Sequence, residues 1–488
     1  MPAKRQLALV WALASLLSLS LASTAGAADT VYWANYEGGA ISFANLAGGG
    51  GGNLDTTGAS AKEANGLAIY SATGKIYWIT APGGKIFYAN LSGGGGGELS
   101  TTGATVNFPV GLAIDPAAGR LYWANGGANK ISYANLNGSG GGDLDTTGAT
   151  VEDPLGVAVD PATARIYWAN AAGKISYANI SGGGGGDLNT TGATVEVPAG
   201  VAIDPSSGRI YWANEGADKI SYANLNGSGG GDLNTTGATV ETPFGVAIDP
   251  SAGRIYWADE TANKISYANL DGSGGADLNT AGAMVDHPAF PILLKAPGPA
   301  AAPLASGGPM PGSTLTCTPA SWSGDLLESF LYRAPQSTSL QWLKEGQPIS
   351  GANTNTLSAA TVGSYSCQGI ATDQAGSTTQ TSAPVAIFSL GKVKANRRKG
   401  TASLAVQVAG PGALTLTGKQ LVKQQRTSSA SSIGTVKLLV KPKGKASRAL
   451  RKKGKVRVAV IVTFMPQSGS GGSEAKTLVL RKTPRSNR

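Results

Sequence analysis

The dipeptide Tyr-Trp recurs six times, with its tryptophan at positions 33, 78, 123, 168, 212 and 257. The intervals are 45, 45, 45, 44 and 45 residues. A period of this length restricts a chain to architectures in which each unit covers its hydrophobic surface with its neighbours. The repeat is too long for a β-helix, and its Gly and β-branched content argues against helical repeats.

Each unit carries the same phrases in the same order, and three strands are legible in the last one. Gly245–Asp249 is a short apolar run closed by Asp249-Pro250, with the turn running to Gly253. Arg254–Ala258 is a second strand rich in Ile, Tyr and Trp. Lys264–Leu270 alternates in polarity, and the Gly-rich turn after it leads to a fourth strand expected around Asp277–Ala281. Four short strands joined by tight turns make a propeller blade. The first unit begins at Val31 without the leading apolar strand, and Pro288–Leu294 follows the last unit in the register of Pro243–Asp249. That orphan strand is expected to complete the first blade, closing six blades into a ring with no free edge.

Across residues 31–294 the phrases Pro-x-Gly-(Leu/Val)-Ala-(Ile/Val)-Asp-Pro, Gly-(Arg/Lys)-(Ile/Leu)-Tyr-Trp and Ala-Asn-Leu-(Asn/Asp)-Gly-Ser-Gly resemble the YWTD repeats of low-density-lipoprotein-receptor class B propellers. The Thr-Asp that would follow Tyr-Trp is Ala-Asn in four units, Ala258-Asp259 in one and Ile79-Thr80 in another. Cys-rich flanking modules are absent from this sequence. The resemblance implies a six-bladed fold and does not carry a receptor's function with it.

Before the repeat, residues 1–27 read as an export signal: Lys4 and Arg5, an apolar run from Leu7 to Leu21, and the small residues Ala25–Ala27. The chain is therefore expected to be secreted, extracellular or cell-wall associated. The expected order is signal peptide 1–27, six-bladed propeller 28–296, Pro/Gly/Ala linker 297–312, immunoglobulin-like domain 313–388 and basic β-sandwich 389–488: an all-β chain throughout. Cys317 and Cys367, the only cysteines, are expected to pair in an exported protein. Trp342 lies midway between them and Tyr365 two residues before the second, an arrangement that resembles bacterial immunoglobulin-like domains of exported proteins. In the last segment Val436, Leu438 and Val440 interleave with Lys437 and Lys441, Val456, Val458, Val460 and Val462 interleave with Arg457, Ala459, Ile461 and Thr463, and Ser447–Lys453 suits a helical turn.

Net charge is +10, but it is sharply divided. Residues 28–296 carry 12 Lys and Arg against 24 Asp and Glu, a net of −12, whereas residues 389–488 carry 23 against one, a net of +22. The basic segment is expected to meet a polyanion, with Arg397, Arg398, Lys399, Lys441, Lys443, Arg451, Lys452 and Lys453 as candidate contacts. An anionic cell-wall polymer or lipid surface fits. Specific nucleic-acid binding is not expected, because the segment has one aromatic residue, Phe464, and no binding signature.

Catalytic chemistry finds little material. His287 is the single histidine, no nucleophile motif stands out, and the units are nearly alike where an active site needs asymmetry. The Gly-rich loops offer one or two carboxylates per 45 residues, too few for calcium, so no metal or cofactor is expected. The Asp of each Asp-Pro is expected to cap its turn. Asymmetry is confined to two loop sets, one after Tyr-Trp and one before the first strand, which an up-and-down blade places on one face. Candidate binding residues there are Tyr36, Glu37, Phe108, Glu152, Asp153, Leu155, Glu215, Asp218, Phe244 and Glu260. The expectation is a non-catalytic extracellular binding or adhesion protein. Its propeller face recognises a protein or glycan, and its basic module retains it on an anionic surface. The alternative is a propeller enzyme, a lactonase or lyase, with a metal in the central channel.

Overall fold

The computed structural model describes residues 28–81, 83–429 and 432–483, and the expected signal peptide lies outside them. The described residues are all-β apart from one helix, Gly444–Lys453, and three single turns of 3-10 helix. No helix among them is long and apolar enough to cross a membrane.

Six antiparallel sheets form the propeller. Blade 1 is closed from both ends of the repeat: Pro288–Leu294 pairs with Thr30–Asn35, as the register in the sequence predicts. Blades 2 to 6 begin with inner strands Ala64–Tyr70, Pro109–Asp115, Pro154–Asp160, Pro198–Asp204 and Pro243–Asp249. The fourth strand is shorter and earlier than expected. In blade 6 it is Gly275–Asp277, because Asp277 pairs opposite Ser266 and the chain then turns inward to the next blade.

The six tryptophans are fully buried, and each indole N–H still finds an acceptor. Trp78, Trp123, Trp168, Trp212 and Trp257 donate to the backbone carbonyl 18 residues earlier, in the loop that enters their own blade. Trp33 instead donates to Met284 at the far end of the repeat (3.0 Å), so the ring closes by a side-chain bond as well as by strand pairing. Each Asp-Pro carboxylate caps its turn as expected; Asp115, for example, accepts from Ala117 and Ala118 N–H. Around the axis the inner strands approach closely. A Cβ on Gly111 would stand 2.6 Å from the Gly156 Cα, so the Gly of Pro-x-Gly is set by the neighbouring backbone.

The middle domain does not hang from a linker. Residues 297–312, expected as one, supply strand Pro299–Ala301, paired with Ser321–Trp322, and strand Leu304–Gly307, paired with Ser313–Thr318. Pro299 is tolerated because Pro299–Ala301 belongs to a two-stranded sheet, where it is an edge strand. Cys317, in this sheet, is bonded to Cys367 in the facing sheet, where Trp342 pairs directly opposite Cys367. Tyr365 OH donates to the Thr361 carbonyl four residues upstream (3.0 Å).

A loop of this domain enters the propeller. Leu331 and Tyr332 pair in parallel with Leu293 and Leu294, adding a fifth strand to blade 1, and both side chains are fully buried in the propeller core. Leu327–Ser329 sits against the inner strands of blades 3 to 6, and Ser329 Oγ donates to the buried Ile203 carbonyl. Asp325 braces the loop by accepting from Arg333 and Ala334 N–H (both 2.7 Å). The central channel is thus filled from the face that carries the Asp-Pro turns.

The third domain packs strands Ser389–Asn396, Thr401–Val408 and Gly434–Val440 against a four-stranded sheet containing Lys455–Pro466 and Gly472–Arg481. Phe464 lies in its core against Phe388. The helix Gly444–Lys453 covers this core with Ala446 and Leu450.

Candidate functional site

The two loop sets singled out in the sequence meet on one face, around the channel mouth opposite the inserted loop. Backbone bonds tie them together: Tyr36 N–H to His287 O, Gly126 to Phe108, Glu215 to Val197 and Glu260 to Thr242. Side chains then bridge neighbouring blades, since Asn129, Asp218 and Asn263 accept from Asp153, Thr242 and His287 N–H at 2.7–2.8 Å. Every blade enters its inner strand through a non-glycine residue with left-handed φ: Glu63, Phe108, Asp153, Val197, Thr242 and His287, between 44° and 56°. Such backbone is strained and persists only where its surroundings enforce it. The rim is therefore rigid.

Inside the rim lies a small apolar floor. Val110, Ala289 and Phe290 pack together with Leu155 and Phe244, and the Phe244 and Phe290 rings meet edge to face at 5.2 Å. Leu155 and Phe244, two of the candidate binding residues, are half-buried here because they pack against Val110, Ala289 and Phe290, whereas Phe108 is 61% exposed. Phe290 occupies the place of the Pro-x-Gly glycine in the closing strand. Below it the inner strands are in contact, so the mouth is blind.

Carboxylates surround the floor. Burial pushes Glu215 above the usual carboxylate range, and the charges of Glu260 and Asp153 push it the same way. Glu260 is raised by burial and by Glu37, against a lowering from His287. Tyr36 is raised by burial and by Glu63, Glu37 and Glu260. Tyr36, Glu37, Asp153, Glu215 and Glu260 thus share one electrostatic neighbourhood. Glu152 is exposed beside Asp153, and Asp218 is held in its blade-to-blade bond. Among the described residues no group of three or more His, Cys, Asp or Glu is arranged to hold a metal ion.

Two features escaped the sequence reading although both are departures from Pro-x-Gly. One is Phe290. The other is Asn65, in the place held elsewhere by Val110, Leu155, Ala199, Phe244 and Ala289. Asn65 is 6% exposed and its Oδ1 has no hydrogen-bond partner.

The basic contacts expected in the third domain also gather in space. Thr483 N–H donates to Arg397 O and Lys482 N–H to Gly454 O, bringing the Arg397–Lys399 turn, the helix carrying Arg451–Lys453 and the C-terminal strand to one end. Lys441 and Lys443 bond to Val422 and Gln420 at the same end, ahead of that helix. The opposite end holds the joint with the middle domain, where Ser470 and Pro384 exchange backbone bonds with their neighbours and Phe388 N–H donates to Pro309 O. No ion pair among the described residues involves a cation beyond Lys295.

Fold and site together define an all-β protein: a β-propeller with a blind, acid-rimmed mouth, followed by two β domains. No protein-family model matches the chain, and no curated protein matches it. Among solved structures, a chain in the crystal structure of a nidogen/laminin complex is similar at 19% identity, over 54% of this chain and 98% of that one, with a TM-score of 0.44.

Proposed function

We propose that the protein is a non-catalytic, extracellular binding protein that recognises a protein or glycan with the propeller mouth and is retained on an anionic cell-wall polymer or lipid surface by its third domain. One observation carries this reading: the two charge-bearing regions sit at opposite ends of a jointed but packed molecule. The acidic mouth is on the propeller face away from the middle domain. The cations are at the end of the third domain away from that same domain. Strand Gly363–Asp373 joins the two contacts, pairing with Ile387 beside the third domain at one end and reaching the propeller core through Ala375 at the other. This separation keeps the basic end from covering the acidic mouth of its own chain.

The retention half is tested with the full chain on vesicles of phosphatidylglycerol against phosphatidylcholine. Binding to the anionic vesicles is expected, weakening steeply as salt rises. The triple variant Arg451→Glu, Lys452→Glu, Lys453→Glu is expected to bind about a hundredfold more weakly, at about 1 kcal/mol per lost cation. Equal binding to both vesicle types at low salt would refute retention by charge.

A further inference from the structure

We propose that the middle domain carries a recognition site of its own, a pocket for one ring of a neutral saccharide. It is apart from the propeller mouth and the basic end, and does not depend on what either of them binds.

One tryptophan differs from the rest. The six of the blades and Trp342 are fully buried, and each indole N–H donates to a carbonyl of the chain. Trp322 is half-buried, and its indole N–H has no acceptor among the described residues. Together with Thr338, Ser339, Leu340, Asn353 and Asn355 it lines a cavity of about 260 Å³.

Three fixed pieces of chain build that cavity. Trp322 is held by the pairing of Ser321–Trp322 with Pro299–Ala301, and Ser321 O accepts from Gln380 Nε2 (3.0 Å). Thr338 to Leu340 belong to strand Ser337–Lys344, which pairs with Gly363–Asp373 along its whole length. The turn carrying Asn353 and Asn355 is tied to the core. Thr354 O accepts the Trp342 indole N–H (2.9 Å), and Asn355 O accepts the amide of the disulfide-bonded Cys317 (2.8 Å). Ala320 and Gly369 also line the cavity, and a Cβ on Gly369 would stand 2.7 Å from the Ala320 Cβ, so only bare backbone fits there. Walls fixed in this way lose little freedom when a ligand enters.

The lining selects the ligand. None of its residues is ionisable, although the propeller carries −12 and the third domain +22, so nothing there offsets the dehydration of an ion. The Asn353 and Asn355 amides and the Thr338 and Ser339 hydroxyls are exposed, and each can both donate and accept. Their match is a group that does the same, a hydroxyl, rather than a carboxylate that only accepts or an ammonium that only donates. The Trp322 indole and Leu340 add an apolar wall for C–H groups. A pyranose ring combines a C–H face with a hydroxyl edge. The volume is just below the range that holds a drug-sized ligand, which suits a single ring.

The test titrates cellohexaose, mannohexaose and laminarihexaose calorimetrically into the full chain. At least one is expected to bind saturably, with a Kd on the order of 1 mM or tighter. Trp322→Ala is expected to weaken that sugar about tenfold or more, whereas Trp322→Phe, which keeps an aromatic face, retains most of the affinity. The Asn353→Ala, Asn355→Ala variant, changed only at exposed side chains, is expected to weaken it about tenfold with the melting temperature preserved. Binding by none of the three sugars, an affinity indifferent to the Asn pair, or tighter binding of the neutral peptide acetyl-Ser-Ala-Ser-Ala-amide overturns the pocket. Vesicle binding is read separately, so loss of this pocket and loss of surface retention give different results.

Discussion

On the face formed by the Asp-Pro turns, the propeller channel is occupied by the chain's own Phe330, Leu331 and Tyr332, all buried, with Leu326 and Leu327 partly buried beside them. On the opposite face the inner strands present Val110, Leu155, Phe244 and Phe290, which pack on one another, with carboxylates on the surrounding loops and no inserted loop among the described residues. The strands are the same; what differs is which end the middle domain reaches. One end of the channel has become a joint, and the other is left free to meet something else. A joint of this kind should cost stability when disturbed, whereas the free end should tolerate change or gain from it.

The largest effect is expected at the joint. Tyr332→Ala removes a fully buried ring and should cost about 3–5 kcal/mol, read as a fall in the denaturation midpoint. An unchanged midpoint would mean that the inserted loop contributes nothing to the fold.

The second prediction concerns pH at the same joint. Asp373, at the turn that meets the propeller beside Tyr32, is pushed up to about 7, first by burial and then by Asp29 and Asp325. Its folded-state pKa lies above the unfolded value, so its contribution is fully present below about pH 4 and is lost as pH rises through about 7. The parent should lose about 2–4 kcal/mol of stability over that window, and Asp373→Asn should flatten the profile. A parent profile that rises between pH 4 and 7 would reverse the sign.

At the free end the expectation is a gain. Asp259 takes the place of Asn35, Asn125, Asn170 and Asn214, and burial pushes it up to about 6. It accepts from Trp257, Glu241 and Ser266 as its Asn counterparts accept from Trp and the entry loop. Asp259→Asn should therefore stabilise the propeller by about 0.5–2 kcal/mol at pH 8, with the gain disappearing below about pH 4. Destabilisation at pH 8 would show that the buried charge has a partner of its own.

The smallest effect belongs to neither end. Lys219 and Asp232 pair at 2.8 Å on the outer edge of blade 5, in a bond repeated in blades 3, 4 and 6. Burial works against the Asp232 carboxylate, but bonds from Lys219, Thr194 and Ser221 outweigh it and hold it at about 2. Because Lys219 is half-exposed, Lys219→Ala should cost less than about 1 kcal/mol. A loss above 2 kcal/mol would make these edges structural.

The propeller was legible because its constraint is repeated. The spacing of Trp33 to Trp257 and the register of Pro288–Leu294 specify blades and closure without any knowledge of packing. The inserted loop was not, since Leu326, Leu327, Phe330, Leu331 and Tyr332 occur once and have no period; an apolar cluster within the expected immunoglobulin-like domain was the only sign. The linker misread has a related cause. Proline and glycine mark edge strands as readily as tethers, and only the partner strand Ser313–Thr318 separates the two. At the mouth, the loop residues followed from strand alternation alone. Asn65 and Phe290 matter through their neighbours across the axis, which a linear reading does not bring together.

The middle domain has a consequence for height. Strand Gly363–Asp373 has 11 residues and at about 3.3 Å per residue spans about 35 Å. Its two ends are fixed to the domains on either side by backbone pairing and a buried loop. For a copy lying with its basic end against a charged layer, the mouth is lifted clear by a set stand-off, where a flexible tether would let it wander down to the layer. Partners anchored flat in that same layer are then out of reach, and those that project from it, or from a facing surface, are favoured.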